Sequence, residues 1–327
     1  MLPVSKILVR SPNWIGDHVM ASRFYEGLRA AYPASHITLA CPTEIAQLVQ
    51  KHWFDSVLGL RKDQRKGWGA RAFWKNTIGR QGFDCAFSLP ASLSSSWLLA
   101  AAKIPWRLGF AEHLGSWFLT RSLAWRGRES GRHKSSLYCD LLDLAGAPRA
   151  HQPELPAMHE ASGPIVLAPG ASIALREWWG FVELARQLRK RYPRFPIVVV
   201  GAQEQKHWEE KFQSVGDSAI ESRIGRTTLP EVVELCRNAR LVVANDSGIA
   251  HVAATLAGAP TVVVFGPGDP KYVAPLGRQR HVARASDVPC SPCEKAYCHG
   301  RYGYQQCLRS LSVDAVLSEA QSLLEPH

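Results

Sequence analysis

The stretch from Leu241 to Gly266 constrains the fold more than any other part of the sequence. It reads LVVANDSGIAHVAATLAGAPTVVVFG, and its two apolar, β-branched runs, 241–244 and 261–265, indicate buried strands. Between them, apolar residues at i, i+3, i+4 and i+7 from Ile249 indicate a helix with one buried face, which Gly258 is placed to cap. A strand, a polar turn, a helix and a second strand make one βαβ unit, so the stretch predicts a parallel sheet.

The polar residues of this βαβ unit predict a ligand site. They follow the first strand, and ligands bind at the carboxyl edge of open α/β sheets. The N–H groups and the positive dipole end of the helix would face an anion there, most simply a phosphate. The residues concerned are Asn245, Asp246, Ser247, Gly248 and His251. The alternative is that Asp246 and Ser247 only cap the helix.

The composition of the chain limits its possible partners, its number of domains and its cellular location. The formal net charge of +11 favours anionic partners, which are phosphates, nucleic acid or an acidic membrane surface, although it also serves solubility alone. A chain of 327 residues, 46% hydrophobic, suffices for two domains of ordinary size. Lys6 and Arg10 interrupt the apolar start, which therefore indicates a strand and not a signal peptide. We expect a cytosolic protein whose eight cysteines are reduced.

Strands and helices alternate along the whole chain. Strands are predicted at 6–10, 36–40, 56–60 and 85–89, and the alternation restarts at 165–168 after a linker, His151–Gly163, that has two prolines and no periodicity. We therefore expect an α/β protein with two doubly wound parallel-sheet domains that face a cleft. The domains are residues 1–155 and 156–327, and the final helix, 313–325, is able to pack back on the first domain.

Several stretches together resemble glycosyltransferase family 9, the lipopolysaccharide heptosyltransferases. VVANDSGIAHVAATLAGAPTVVVFGP resembles the nucleotide-sugar motif of that family, and ILVRSPNWIGDHVMA resembles its N-terminal signature, most closely in the heptosyltransferase II branch. LAPGAS, IGRTTLPE and a terminal cysteine cluster match in the same order, so the resemblance covers nearly the whole chain.

The resemblance implies a fold, a reaction and partners. The fold is GT-B, with an acceptor-binding first domain and a nucleotide-sugar-binding second domain. The reaction is the inverting transfer of heptose from ADP-heptose to the lipopolysaccharide inner core, with no metal or other cofactor. The acceptor is of the lipid A–Kdo–heptose type, which implies a cytoplasmic enzyme in peripheral contact with the anionic inner membrane.

Four further positions are assigned to the donor side. The sequence has no Asp-x-Asp pair to hold a metal, so the leaving diphosphate must meet the helix N-terminus and a basic side chain. Arg176 is the candidate, although the family has a lysine nearby in a Lys-x-Trp-Pro pattern and a surface arginine is the alternative. The resemblance implies that Glu204 binds the ribose and that Thr227 and Thr228 flank the nucleotide. Their alternatives are a solvated first-turn glutamate and an N-cap.

The loop after the first strand, SPNWIGD, is assigned to the acceptor side. Ser11, Asn13 and Gly16 shape this loop, and Asp17 ends it. The resemblance implies that Asp17 is the catalytic base, because a carboxylate can take the proton that the attacking hydroxyl loses. The alternative is that Asp17 caps a helix that starts at His18.

A cysteine cluster near the C-terminus allows two interpretations. The residues are Cys290, Cys293, Cys298 and Cys307. Four thiolates in a cytosolic protein suggest a structural zinc or iron–sulfur site, but the spacing is irregular, and packed or partly exposed thiols explain it equally well.

Two rival functions remain at this point. One is a GT-B transferase that uses another nucleotide sugar or acceptor. The other is a basic nucleic-acid-binding protein with a four-cysteine metal site. The scatter of basic residues over both halves and the lack of a recognition motif argue against nucleic acid. The sequence leaves the oligomeric state open.

Overall fold

The computed structural model describes residues 2–49, 52–148 and 162–325. The chain divides into two compact units, Met1–Glu154 and Leu155–His327. Most of the predicted linker, His151–Gly163, lies outside the described residues. Within those ranges, no helix is long and apolar enough to span a membrane.

The first unit is built on a six-stranded parallel sheet. Its strands are β1 (Lys6–Arg10), β2 (His36–Pro42), β3 (Ser56–Leu60), β4 (Cys85–Ser88), β5 (Trp106–Ala111) and β6 (Arg121–Ala124). Its α-helices are α1 (Ile15–Met20), α2 (Ser22–Ala31), α3 (Gly67–Phe73), α4 (Leu93–Ala101) and α5 (Lys134–Leu144). The strand order is β3-β2-β1-β4-β5-β6, so the chain starts in the middle of the sheet and changes direction between β1 and β4.

The second unit repeats this plan. Its strands are β7 (Ile165–Ala168), β8 (Ile197–Val199), β9 (Ile220–Ser222), β10 (Leu241–Asn245), β11 (Thr261–Val264) and β12 (Arg280–Ala283). Its α-helices are α6 (Phe181–Arg191), α7 (His207–Gln213), α8 (Leu229–Asn238), α9 (Gly248–His251), α10 (Pro270–Val273), α11 (Gln306–Arg309) and α12 (Val313–Leu324). The order β12-β11-β10-β7-β8-β9 places the change of direction between β7 and β10.

The strand order fixes where ligands can bind. Each sheet, read from its third strand, has the order 3-2-1-4-5-6, in which ligands bind outside the carboxyl ends of the two strands that flank the change of direction. The loop with Asp17 leaves β1 at that point, and the turn with Asp246 leaves β10 at the equivalent point. The predicted α/β class with two doubly wound parallel sheets is therefore confirmed.

The cores explain why the strands form. Strand residues such as Leu8 and Val243 are fully buried, as both faces of a helix-covered parallel sheet require. The final helix belongs to the core of the second unit, where Val316 and Ala320 are buried and α12 packs against α6 and β10–β12.

Three strands and three helices were not predicted. Strands β6, β9 and β12 have three or four residues, and strand β6 is largely exposed, so none makes the apolar run by which a strand is recognised. Helix α3 lies in a basic, aromatic segment, in which the buried face is limited to a few residues such as Ala70. Helices α10 and α11 have four residues each, too few for an apolar helical period to show.

Candidate functional site

The turn after β10 is held by Asn245, the last residue of the strand, and by Asp246, which follows it. The Asn245 amide donates to the Pro169 carbonyl (2.6 Å) and accepts from the Trp178 N–H (3.1 Å). The Asp246 N–H donates to the Val264 carbonyl at 2.9 Å and so continues the pairing with β11. Both ends of the Asn245 amide are thus engaged inside the protein, and this residue fixes the loop that follows β7.

Arg176 and Asp246 form an ion pair, although 70 positions separate them in the sequence. Arg176 Nη1 lies 2.7 Å from Asp246 Oδ2, and Arg176 Nη2 lies 3.7 Å from Glu294 Oε2. The Asp246 side chain is only 3% exposed, so its charge needs this partner. Glu294, which the sequence did not point to, makes the group one cation with two carboxylates.

The N-cap residue of the helix after the turn, Ser247, has a hydroxyl group that does not cap the helix. Ser247 is the N-cap of α9, but its side chain makes no capping hydrogen bond, and Asp246 is paired with Arg176 instead. The Ser247 side chain therefore does not cap α9. The Ser247 hydroxyl is buried and has no hydrogen-bond partner within the described ranges. A polar atom in that state usually faces a water molecule or a ligand that completes the site.

The same helix carries Gly248 and His251 and ends as predicted. Gly248 is its first residue, and His251 is buried in its first turn. The helix continues as a π-helical turn, Val252–Ala257, and ends at Gly258 with φ +71°, which confirms the predicted cap. Wide turns of this kind occur frequently at functional sites.

Two glycines permit a close approach of the surrounding loops. A Cβ on Gly268, which follows β11, would overlap Asp246 Oδ2. A Cβ on Gly170, which follows β7, would overlap the side chain of Gln205, which follows β8. The loops after β7 and β8 are therefore in close contact at Gly170, and those after β10 and β11 at Gly268, so a side chain at either glycine would have to displace its neighbour.

The remaining predicted donor residues lie on the loops after β8 and β9. Glu204 is exposed in a short 3₁₀ turn, Gln203–Gln205. Thr227 is half-buried, and Thr228 is the N-cap of α8, where it forms a capping box with Glu231. These bonds from Thr228 lower the pKa of Glu231. The capping role of Thr228 is confirmed.

Asp17 is bound by a lysine that the sequence did not point to. Lys134 Nζ, at the start of α5, donates to Asp17 Oδ1 at 2.8 Å, and the two side chains are 16% and 22% exposed. Helix α1 begins at Ile15, with Trp14 as its N-cap, so Asp17 lies inside the first turn. The prediction that Asp17 could cap a helix starting at His18 is therefore wrong. Gly16 is the second residue of α1.

A fully buried arginine holds the loop that leads to Asp17. Arg10 ends β1, and its guanidinium donates to the Ser11 carbonyl and to Asn13 Oδ1, the latter at 2.6 Å. Burial lowers the pKa of Arg10 to about 10. Ser11 and Asn13 thus shape the loop through this cation, which sequence rules miss because charged residues are rarely buried.

The other side of this loop rests on a neutral histidine. His18 Nδ1 lies 3.0 Å from the Ser11 hydroxyl and 3.1 Å from the Tyr25 hydroxyl. Burial lowers the pKa of His18 to about 3, so the ring is uncharged at neutral pH. Burial also raises the pKa of Tyr25. An uncharged imidazole can accept a hydrogen bond from a hydroxyl, and this contact ties α1 to the loop.

The four C-terminal cysteines line one cavity of about 330 Å³. Cys298 Sγ accepts the N–H groups of Gly300 and Gln305, both at 3.4 Å. Burial and the other three cysteines raise the pKa of Cys307 to about 11. All eight cysteines are free thiols. In the part of the chain that the structure describes, no three His, Cys, Asp or Glu side chains are already arranged to hold a metal ion.

This cysteine segment also supports the arginine. The Gln305 amide donates to the carbonyls of Ala174 and Leu175, at 3.3 and 3.2 Å, in the 3₁₀ turn Ala174–Arg176. Residues 290–307 therefore hold both Arg176, through this turn, and Glu294 in position.

Comparisons with known proteins agree with this architecture. The sequence model of glycosyltransferase family 9 (heptosyltransferase) matches residues 71–301. The lipooligosaccharide heptosyltransferase 2 of Haemophilus ducreyi is 26% identical over 98% of this chain and 99% of its own length. The lipopolysaccharide heptosyltransferase 2 of Salmonella typhimurium is 26% identical over 98% of each chain. The structure of E. coli ADP-heptose lps heptosyltransferase II superposes with a TM-score of 0.79 at 23% identity and covers 98% of both chains, so the two proteins share a fold.

Proposed function

We propose a function from one premise: this chain belongs to glycosyltransferase family 9, the heptosyltransferases, and its fold is of the GT-B type. The proposed function is the inverting transfer of heptose from ADP-heptose to the inner core of lipopolysaccharide, of the heptosyltransferase II kind. The observation that carries it is the family match over residues 71–301, because that range includes both Arg176 and the turn after β10.

The donor binds, in this proposal, at the change of direction in the second sheet. The diphosphate meets the Ser247 hydroxyl and the first N–H groups of α9, which have no partner inside the helix. Arg176 keeps Nη1 on Asp246 and offers Nη2, which lies 3.7 Å from Glu294, to the leaving phosphate. Asn245 and Gly248 shape this turn, and His251 is buried in the first turn of the helix that follows it.

The nucleoside is assigned to the neighbouring loops. Glu204 is exposed after β8, so its carboxylate is able to accept hydrogen bonds from ribose hydroxyls. Thr227 and the capped end of α8 line the loop beside it. The side chain of Thr228 is engaged in its capping box with Glu231. Of the two threonines, Thr227 is therefore the one whose side chain is proposed to contact the nucleotide.

The acceptor is assigned to the first unit, with Asp17 as general base. Lys134 occupies Oδ1, which leaves Oδ2 to take the proton of the attacking hydroxyl. As that oxygen bonds to the anomeric carbon, the bond from this carbon to the phosphate oxygen breaks, ADP leaves with the electron pair, and the configuration inverts. Ser11, Asn13 and Gly16 hold the loop and the first turn that carry Asp17.

We also propose a structural metal at the four cysteines, zinc or an iron–sulfur centre. The cysteines share one cavity, and the two N–H groups on Cys298 suit a thiolate better than a thiol. Binding requires the thiols to move together, so the metal would tighten the segment that supports Arg176. Protein purified without chelator should then carry about one equivalent of metal. Metal-free protein in which all eight thiols titrate would contradict this site.

The location follows from the proposed acceptor. The acceptor is of the lipid A–Kdo–heptose type, so the enzyme works at the cytoplasmic face of the inner membrane without spanning it. The charge of +11 favours contact with anionic lipid, and nucleic acid is not a proposed partner.

Transfer by the purified protein tests the function. The protein and ADP-heptose are incubated with each of two deacylated acceptors, one that ends in Kdo and one that ends in the first heptose. The masses of the products are measured by mass spectrometry. We expect one heptose to be added to the heptose-ended acceptor. Transfer only to the Kdo-ended acceptor, or only from another nucleotide sugar, would move the chain to another member of the family. No transfer from any sugar nucleotide would refute the proposal.

A further inference from the structure

Helix α3 has two faces of opposite character. Ala70, Trp74 and Ile78 lie on the buried face, which extends into the following turn, and belong to the core of the first unit. Trp68, Arg71 and Lys75 are spaced i, i+3 and i+7 on the other face, and all three are exposed. Trp68 is 78% exposed, so the fold does not need this side chain for its own core.

The exposed face continues onto neighbouring elements. The Trp68 and Trp97 rings lie 5.5 Å apart, edge to face, and the Arg71 guanidinium lies over both rings at 5.9 and 5.8 Å. One turn before Trp97, Leu93 is 47% exposed at the start of α4.

A 3₁₀ segment, His113–Phe118, extends the surface further. A Cβ on its Gly115 would lie 3.8 Å from Leu93 Cα, so this segment packs on the same end of α4. Its Leu114 and Trp117 are 56% and 81% exposed. We call Trp68, Arg71, Leu93, Leu114 and Trp117, together with the exposed Lys66 and Lys75, the aromatic–basic patch.

The charge around this patch is predominantly positive. The segment Arg61–Arg80 contains seven Lys or Arg and a single acidic residue, Asp63. Asp63 is paired with Arg61 at 3.3 Å, and Lys66, Arg71 and Lys75 are all exposed to solvent. Exposed tryptophans among basic side chains match the two parts of an anionic bilayer surface, because the rings enter the headgroup region and the cations meet the phosphates.

We propose that the aromatic–basic patch is the surface by which this protein docks on an anionic membrane. The occupant is the bilayer itself, which the charge of the segment and the exposure of its tryptophans both favour. The inference rests on the proposed function in one respect, that the acceptor is anchored in a membrane. Docking through this patch would bring the first unit to the lipid on which its acceptor is carried.

Co-sedimentation with vesicles tests the docking surface. The probes are vesicles of phosphatidylcholine alone and of phosphatidylcholine with phosphatidylglycerol. We expect the wild-type protein to sediment only with the anionic vesicles and to be released by salt. The double variant Lys66→Gln/Lys75→Gln should partition about 25-fold less, since each basic residue near an anionic surface is worth about fivefold. The double variant Trp68→Ser/Trp117→Ser should partition at least about tenfold less.

Two controls distinguish loss of membrane docking from loss of activity: a matched charge variant in the second unit and a soluble acceptor. Lys190→Gln/Arg194→Gln removes the same charge from an exposed surface of the second unit and should partition like the wild type. All variants should keep normal turnover on a deacylated acceptor, which reports the proposed function independently of the membrane. The proposed docking surface would be refuted if the patch variants sedimented like the wild type, or if the wild-type protein did not bind anionic vesicles. Vesicle binding through the patch, without any transfer to the deacylated acceptor, would refute the proposed function but would support the docking surface.

Discussion

The substitution Asp17→Asn separates a catalytic role of Asp17 from a structural one. An amide has the size and shape of the carboxylate, and its oxygen is still able to accept from Lys134 Nζ, which lies 2.8 Å from Asp17 Oδ1. What the amide cannot do is take a proton. The variant therefore removes the proposed base while it retains most of the local packing.

The exposure of Asp17 and Lys134 allows the expected loss of stability to be compared with the expected loss of turnover. A partly exposed ion pair contributes about 1 kcal/mol or less, and an acidic residue in the first turn of a helix adds about 0.3–1 kcal/mol. The side chains of Asp17 and Lys134 are 22% and 16% exposed, so we expect the free energy of unfolding to fall by only about 1–2 kcal/mol. Loss of a general base lowers turnover by about 10²–10⁴-fold, which is about 3–5 kcal/mol in activation free energy.

The assay combines denaturant unfolding, ADP binding and turnover. We expect Asp17→Asn to bind ADP almost normally and to lose at least two orders of magnitude in turnover, on the scale of a lost general base. The matched control is Lys134→Gln, which breaks the same ion pair from its other end and leaves the carboxylate in place; its turnover should fall by about tenfold or less. If Asp17→Asn kept most of its turnover, or if both variants lost the same amount, Asp17 would not be the base.

Three further predictions concern His18, Gly268 and Thr228. Between pH 6.5 and 3 the unfolded chain binds a proton at His18 that the folded chain excludes, so stability falls as the pH falls, by about 2 kcal/mol at pH 5; urea unfolding should show this slope reduced in His18→Asn. Gly268→Ala should displace Asp246 and raise the KM for the donor, whereas Gly69→Ala, which meets no atom within 4 Å, should leave kinetics unchanged. Thr228→Ala should cost about 1 kcal/mol of stability with an unchanged KM, and a raised KM would show that the hydroxyl also serves the nucleotide.

The parts of the fold that depend on local pattern were predictable. Strand β10, the turn, the helix and its Gly258 cap follow from apolar spacing and from the glycine that a left-handed cap requires. The start of α1 was not predictable, because its N-cap is Trp14, which offers no side-chain oxygen, and the rules search for one that does. The same rules produced the alternative that Asp17 caps a helix starting at His18, a cap that it does not form.

Long-range pairing accounts for what was missed at the site. Arg176 and Asp246 were each predicted, but their contact depends on how two strands lie side by side, and a single sequence contains no signal for it. Lys134 lies 117 residues from the aspartate that it binds, in a segment to which the sequence analysis gave no role. Arg10 was assigned to a strand without a role, since a buried arginine departs from the rule that charges lie outside.

Mass spectrometry of lipopolysaccharide core tests the central claim most directly. The core is compared between a strain that contains this protein, the same strain without it, and the deletion strain with the protein restored. We predict a core truncated after the first heptose in the deletion strain and a full core after restoration. An unchanged core in the deletion strain would contradict the assignment of this protein to heptose transfer in lipopolysaccharide.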